Sequence, residues 1–141
     1  MEPIIRKLER AFHLTEDLFE SLSEEDLELK LKDLPSNKLG EQVWCMIGAR
    51  ESYFKAIKSS KWGGFGCSLE NAFVKKGVLT QLKKTQEEII GYLKRNELSE
   101  IQIGILLDLS EHEIQHHGQL IRYVYGNKLK FPKSWNERYT V

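Results

Sequence analysis

The sequence is poor in the residues that would define several large classes of protein. It contains two cysteines and three prolines in 141 residues, too few cysteines for the disulfide framework of a small secreted protein. No run of about 18 apolar residues is present, so we expect no membrane span. The first residues lack a basic segment followed by an apolar one, so we expect no secretion signal. Together these absences predict a cytoplasmic protein in which Cys45 and Cys67 are reduced thiols.

An excess of charge of one sign is also missing. Lys and Arg together number 21, as do Asp and Glu, and the formal net charge is zero. A nucleic acid or an anionic membrane would be attracted by a surplus of positive charge, so the composition favours neither as a partner. The length suits one domain with a hydrophobic core and is short for two. We therefore expect a single domain that spans residues 1–141.

What the chain does have is helical periodicity over nearly its whole length. Apolar residues recur at spacings of three and four, the pattern of amphipathic helices. Four long helices of this kind predict an all-α four-helix bundle. The tail after Phe131 is expected to be irregular and to pack on the bundle through its aromatic residues. The predicted helices cover about 4–22, 38–59, 78–94 (or from Glu70) and 99–125, with a short helix at 24–31.

The fourth predicted helix carries apolar residues on two sides. At about 100° per residue, one stripe also contains two histidines, and a second stripe lies nearly opposite. A helix that is apolar on two sides is either central in its bundle or shared between subunits, and we favour a homodimer in contact along this helix. The first stripe consists of Ile101, Ile105, Leu109, His112, His116 and Leu120, and the second of Ile103, Leu107, Ile114 and Ile121.

His112 and His116 are the residues most indicative of chemistry. They are four positions apart, so they project from the same side of a helix, the spacing of two imidazoles that reach one metal ion. Buried imidazoles cost free energy unless their nitrogens find partners, and a metal ion is one such partner. The alternative is an ordinary pair of hydrogen-bonded core histidines. His117 points about 100° away and is expected at the surface, outside the site.

A catalytic metal usually has three protein ligands and one open position. Cys45, in the second long helix, is the best candidate for the third ligand, since a thiolate suits zinc or nickel. Glu41 and Glu51 are weaker candidates, and Cys67 is interpreted as a loop thiol. The alternative for Cys45 is a small buried apolar side chain, as free cysteines usually are.

The segment from His112 to His116 also matches the His-Glu-x-x-His pattern of zinc hydrolases. In that interpretation Glu113 would be the general base that activates a zinc-bound water. A hydrolase of this kind requires a third ligand further along the chain, and none is found between His117 and Val141.

Two segments resemble the DinB-like, or YfiT-type, family of small helical metalloproteins. The first runs from His112 to Leu120 and is followed by Gly126 and a Phe-Pro tail. The second, Leu39–Ala49, resembles the family helix that supplies a third histidine. Two positions depart from the family pattern: Cys45 stands where that third histidine falls, and His117 stands where the family has arginine.

The resemblance implies an up-down-down-up four-helix bundle, often dimeric. It also implies a thiol-dependent S-transferase whose metal lowers the pKa of a low-molecular-weight thiol that attacks a small electrophile. Zinc or nickel would be held by His112 and His116, with Cys45 as the third ligand and the Trp62 loop over a small pocket. If Cys45 cannot act as the third ligand, metal binding is weakened or lost. The chain would then be a non-catalytic dimeric helical module with a degenerate site.

Overall fold

Four long helices contain most of the chain in the computed structural model, which describes all 141 residues. A fifth, short helix lies near the C-terminus, and a single 3-10 turn, Glu25–Glu28, follows the first helix. No strand is present, so the all-α class is confirmed and the molecule is a helical bundle. The helices are α1 Glu2–Ser21, α2 Leu39–Ser59, α3 Lys75–Arg95, α4 Glu100–Gly126 and α5 Lys133–Tyr139.

The predicted boundaries of the long helices are close to those observed, and two shorter elements were predicted wrongly. The helix expected at 24–31 is only the 3-10 turn. The tail expected to be irregular contains α5. Seven residues do not form a stable helix alone, so α5 depends on tertiary contacts. Its Trp135 is fully buried, and the indole Nε1 donates to the Leu14 carbonyl of α1 at 2.6 Å. The tail therefore packs on the bundle as expected.

Local signals explain where α4 begins. Ser99 is its N-cap, and its hydroxyl accepts a hydrogen bond from the Gln102 amide at 3.3 Å. The Gln102 side chain accepts in return from the Ser99 amide at 2.9 Å. This reciprocal pair satisfies two amides that would otherwise lack partners at the helix start.

The long helices pack as two antiparallel pairs. In the first pair, Glu9 of α1 meets Lys94 near the end of α3, while Lys75 at the start of α3 reaches the end of α1. In the second pair, the side-chain Nε2 of Gln102 near the start of α4 donates to the Ile57 carbonyl near the end of α2 at 2.7 Å. The two pairs then pack on each other. None of the helices combines the length and the apolarity needed to cross a lipid bilayer.

The interior consists of two apolar clusters with a polar layer between them. The larger cluster has 17 buried residues and the smaller has 9. The larger one includes Met46 and Leu120, whereas the smaller one includes Ile57 and Leu106. Buried polar residues from all four long helices lie between these levels: Thr15, Arg50, Thr85 and Glu113.

Helix α4 only partly follows the two predicted stripes. Its buried side includes Leu109, His116 and Leu120, but Ile101 is 64% exposed because it lies in the first turn at the end of the bundle. On the other side, Leu107 and Ile114 are 44% and 41% exposed. The chain therefore has apolar side chains on the outer face of α4.

Candidate metal centre

Helices α2 and α4 bring Cys45, His112 and His116 together, with His116 buried and the other two residues half-buried. Each residue offers one ligand atom, and these atoms all lie within 4.8 Å of one another. The Cys45 Sγ atom is 3.8 Å from the His112 Nε2 atom. The antiparallel pairing of α2 with α4 explains the grouping, because it places the turn that carries Cys45 beside the turn that carries both histidines. The group could hold a metal ion.

A chain of hydrogen bonds holds His116 in one orientation. Its Nδ1 atom donates to Gln42 Oε1 at 2.6 Å. The Gln42 amide donates in turn to Asn37 Oδ1 at 2.8 Å, and the Tyr123 hydroxyl donates to the same oxygen at 2.6 Å. Because Nδ1 carries the proton, the lone pair of the neutral ring lies on Nε2, where it is free to bind a metal.

His112 has no comparable support. Its Nδ1 atom is buried without a hydrogen-bond partner, and its Nε2 atom lies beside the Cys45 sulfur. A buried polar atom without a partner costs about 1–3 kcal/mol. A metal ion on Nε2 would leave Nδ1 without a partner, so the case for His112 as a ligand depends on the position of Nε2 beside the Cys45 sulfur.

Burial sets the protonation of the group. Burial and, to a smaller extent, the nearby His112 together lower the pKa of His116 to about 4. Burial also lowers the pKa of His112, although the Glu113 charge opposes this. Both rings are therefore neutral at pH 7, the form that binds a metal. Burial raises the pKa of the Cys45 thiol, so a metal must displace the proton from this sulfur.

The spacing of the three ligand atoms is close to what zinc requires. Tetrahedral zinc sites with ordinary bond lengths place two nitrogens about 3.4 Å apart and a nitrogen and a sulfur about 3.6 Å apart. The distance between Cys45 Sγ and His112 Nε2, 3.8 Å, is within a few tenths of an ångström of this. The remaining separations are no more than 4.8 Å, so bringing all three atoms to bonding distance of one ion requires the atoms of a pair to approach by at most about 1.4 Å. The short side chain of Cys45 therefore does not prevent it from reaching an ion shared with the histidines.

The other candidate ligands do not join this group. Glu41 accepts a hydrogen bond at 2.7 Å from the backbone amide of Lys38, the N-cap residue of α2. Glu51 accepts from the amide and the hydroxyl of Ser68 at 2.8 and 2.5 Å. The Cys67 thiol donates to the Trp44 carbonyl at 3.4 Å. These residues instead fix the start of α2 and the glycine-rich loop, residues 60–68, which follows α2 and contains Gly63, Gly64 and Gly66.

His117 is fully buried, so the prediction of a surface position was wrong. The Thr15 hydroxyl donates to Glu113 Oε1 at 2.5 Å, and it therefore accepts from His117 Nε2 at 2.7 Å. On the other side of the ring, the Tyr139 hydroxyl donates to Nδ1 at 2.6 Å. Trp135 packs on the same ring, with the centroids 4.8 Å apart. Helix α5, which was not predicted, covers this side of α4, and this is why His117 is buried.

Glu113, the general base of the hydrolase interpretation, forms an ion pair with Arg50. The Nε and Nη2 atoms of Arg50 lie 3.1 and 2.5 Å from the two carboxylate oxygens, and both side chains are completely buried. Burial alone would raise the pKa of Glu113, but the charge and hydrogen bonds of Arg50 outweigh it and lower that pKa. Both carboxylate oxygens of Glu113 are bonded to Arg50 and not directed at the metal group. This argues against Glu113 as the general base for a metal-bound water.

Sequence reasoning missed Arg50, Thr15 and Gln42. Arg50 follows Ile47 by three positions and precedes Ile57 by seven, so it falls on the apolar side of α2. A charged residue on the apolar side of a helix indicates that a residue of opposite charge is buried next to it. Gln42 lies one turn before Met46 on the same side and carried a similar signal. Neither position indicates which residue the buried side chain contacts, because the contact depends on how the helices pack in space.

Aromatic residues lie beside the half-buried His112. The Tyr53 ring is 6.3 Å from the His112 ring, and Trp62 of the glycine-rich loop packs on Tyr53 with centroids 4.9 Å apart. Next to Cys45, Trp44 contacts Phe65 of the same loop at 5.3 Å. Trp44, Trp62 and Phe65 remain 40–48% exposed. The loop therefore borders the metal group without enclosing it.

No family model matches this sequence, and no curated protein matches it either. The function of the chain must therefore be argued from the arrangement of its own residues.

Proposed function

We propose that this chain binds one divalent metal ion, zinc or nickel, through Cys45, His112 and His116. The observation that carries the proposal is the convergence of two neutral imidazoles and one thiol from different helices on one point. Imidazole and thiolate both suit zinc and nickel. Three protein ligands leave one position of a tetrahedral site open, which is the arrangement of catalytic zinc.

The activity that we propose is the transfer of a low-molecular-weight thiol to a small electrophile. A bound ion would supply the positive charge that lowers the pKa of the thiol cosubstrate. The substrate sulfur would lose its proton to solvent and form a bond to the electrophilic carbon, while the bond from that carbon to its leaving group breaks and the leaving group departs to solvent with the electron pair. His116, fixed by Gln42, and Cys45 would hold the ion. Tyr53 and Trp62 lie beside His112 and offer apolar surface to the electrophile.

The resemblance to the DinB-like family supports this proposal at the level of the fold. The antiparallel pairing of α1 with α3 and of α2 with α4 agrees with the up-down-down-up order that the resemblance implies. A homodimer in contact along α4 belongs to the same proposal, supported by the exposed Leu107 and Ile114. A reducing cytoplasm would keep Cys45 as the thiol that the site requires.

One observation favours a second function, a non-catalytic dimeric helical module. A cavity of about 280 Å³ adjoins the site and is lined by Gln42, Gln119 and Tyr123, but not by the three metal-binding candidates. A substrate in this cavity would be separated from the ion by the Gln42 side chain. In a module of this kind, a metal would stabilise the pairing of α2 with α4 and would not activate a substrate.

Metal analysis of the purified protein tests the site. We expect about one equivalent of zinc or nickel per chain, the stoichiometry of a single three-ligand site. His116→Ala and Cys45→Ala should lose it. Cys67→Ala is the matched control, since it removes a half-buried thiol outside the group, and it should retain the metal. Equal metal content in His116→Ala and the unaltered protein would disprove the site.

A transfer assay separates the enzyme from the module. The zinc-loaded protein is mixed with a set of small thiols and an activated aryl halide, and release of halide is followed. Acceleration that His112→Ala abolishes supports the transferase. Stoichiometric metal without acceleration for any thiol would support the module.

A further inference from the structure

A second candidate site lies between α1, α4 and α5, away from the metal group. A cavity of about 110 Å³ is lined there by Lys7 and Arg10 of α1, Ser110 of α4 and Arg138 of α5. No carboxylate lines it. The four ion pairs of the structure involve other cations, so these three positive charges have no anionic partner within the protein.

Unpaired cations around a cavity attract an anion of matching size. One water takes up about 30 Å³ of liquid volume, so this cavity has the capacity of roughly three or four waters. That volume suits a single phosphate or carboxylate group and is too small for a nucleotide. The guanidinium groups of Arg10 and Arg138 can each donate two parallel hydrogen bonds to such a group.

A second cavity adjoins the first and differs from it in the charges of the residues that line it. This neighbour, of about 340 Å³, shares Arg10 and Arg138 but also has Asp17 and Glu137 in its lining. Ser134 lines it as well, and its hydroxyl is buried without a hydrogen-bond partner. The two carboxylates would repel an extended polyanion, whereas a small molecule with one anionic end could place its uncharged part there.

The packing of α5 fixes the backbone that carries the exposed Arg138. The Trp135 indole donates to the carbonyl of Leu14, and Leu14 itself lines both cavities. The next residue after Arg138, Tyr139, is hydrogen-bonded to the buried His117. These anchors hold α5 against α1, so the cations of the two helices face one cavity before any ligand arrives, which reduces the entropic cost of binding.

We propose that this cavity binds the phosphate or carboxylate group of a small anionic ligand through Lys7, Arg10 and Arg138. Ile114 of α4 also lines the cavity, and the Leu14 side chain in its lining would contact an apolar portion of the ligand. Ser110 and Ile114 each lie two positions from a metal-binding histidine, which is about 200° around α4. The site is therefore on the other side of the helix and is independent of the metal.

The test is calorimetric titration of the full chain with inorganic phosphate, phenyl phosphate and benzoate, with and without zinc. We expect saturable one-to-one binding that is unaffected by zinc. Arg10→Gln and Arg138→Gln should each weaken it about tenfold, since each removes a charge-assisted hydrogen-bond donor. Arg95→Gln is the matched control, because it removes an exposed, unpaired arginine at the end of α3, and it should bind as the unaltered protein does.

Each outcome of this titration bears on the proposal. Tighter binding of phenyl phosphate than of benzoate would assign a phosphate ligand, and the reverse order a carboxylate. The absence of saturable binding for all three compounds would overturn the proposal. Equal weakening by Arg95→Gln would also overturn it, since the attraction would then be a property of the general charge and not of this cavity.

Discussion

The Nδ1 atom of His116 lies 2.6 Å from the Oε1 atom of Gln42, across the interface between α4 and α2. Gln42 is three positions before Cys45, so one turn of α2 carries both a proposed metal ligand and the residue that orients another. The amide of Gln42 is itself held by Asn37. The orientation of His116 is therefore built into the fold before any metal binds.

Replacing Gln42 should weaken metal binding without removing a ligand. In Gln42→Ala the His116 ring loses its acceptor, and we expect zinc affinity to fall about 10- to 100-fold, the usual effect of losing such a partner. Gln42→Glu keeps an acceptor at the same place and should bind zinc at least as tightly as the unaltered protein. Competition titration with a zinc chelator measures both constants, and equal affinity in the alanine variant would contradict the orienting role.

The thiol of Cys45 makes zinc binding dependent on pH. Burial raises its pKa, so near neutral pH the apo protein holds a proton that zinc must displace. We expect zinc affinity to rise as the pH rises towards that pKa. Titration calorimetry in two buffers of different ionisation enthalpy should report release of about one proton per zinc. Cys45→Ser should bind weakly, and proton release unchanged in that variant would exclude the sulfur as the source.

The sequence could predict the long helices and the histidine pair because both depend on local spacing. The three- and four-residue periodicity reports which side of a helix is buried, and His112 and His116 share a side by the same arithmetic. The pairing of Cys45 with these histidines followed from resemblance and ligand chemistry. Its distance from them, which decides whether it can bind the same ion, depends on how α2 packs against α4.

The parts that could not be predicted depend on contacts between distant segments. Helix α5 has too few residues for a periodic signal, and its anchor, the bond from Trp135 to the Leu14 carbonyl, joins positions 121 residues apart. The burial of His117 follows from α5, so it was missed for the same reason. A helical projection gives the direction of a side chain but not what lies in that direction.

Breaking the buried ion pair between Arg50 and Glu113 should strongly destabilise the fold. Glu113→Gln leaves the Arg50 charge buried without a counter-ion, and removal of one partner of such a pair costs about 3–5 kcal/mol. Arg50→Met leaves the Glu113 carboxylate buried without a counter-ion and should lower the free energy of unfolding by a similar amount. The double variant Arg50→Met with Glu113→Leu should be more stable than either single variant. Urea denaturation measures all three, and single variants that unfold like the unaltered protein would show that the pair is dispensable.

The metal-free protein should lose stability as the pH falls from about 6.5 to about 4. Burial lowers the pKa of both His116 and His117 from 6.5 to about 4. Between these values the unfolded chain binds more protons than the folded one, so the free energy of unfolding rises with pH there. Each histidine accounts for at most roughly 3 kcal/mol. Urea denaturation in the presence of a chelator measures the slope, and a flat profile over this window would contradict the lowered pKa values.

The hydroxyl of Tyr139 should stabilise α5 and the buried His117 together. Tyr139→Phe leaves the His117 Nδ1 atom without its donor and should cost about 1–3 kcal/mol, the penalty of an unsatisfied buried group. Because His117 and Glu113 both bond to Thr15, the effect should extend to α4 as faster amide exchange there. Tyr125→Phe is the matched control: Tyr125 also lies near the end of the chain but is 52% exposed, and its hydroxyl should contribute almost nothing. If both variants melt at the same temperature, the Tyr139 hydroxyl contributes nothing measurable to the stability of α5.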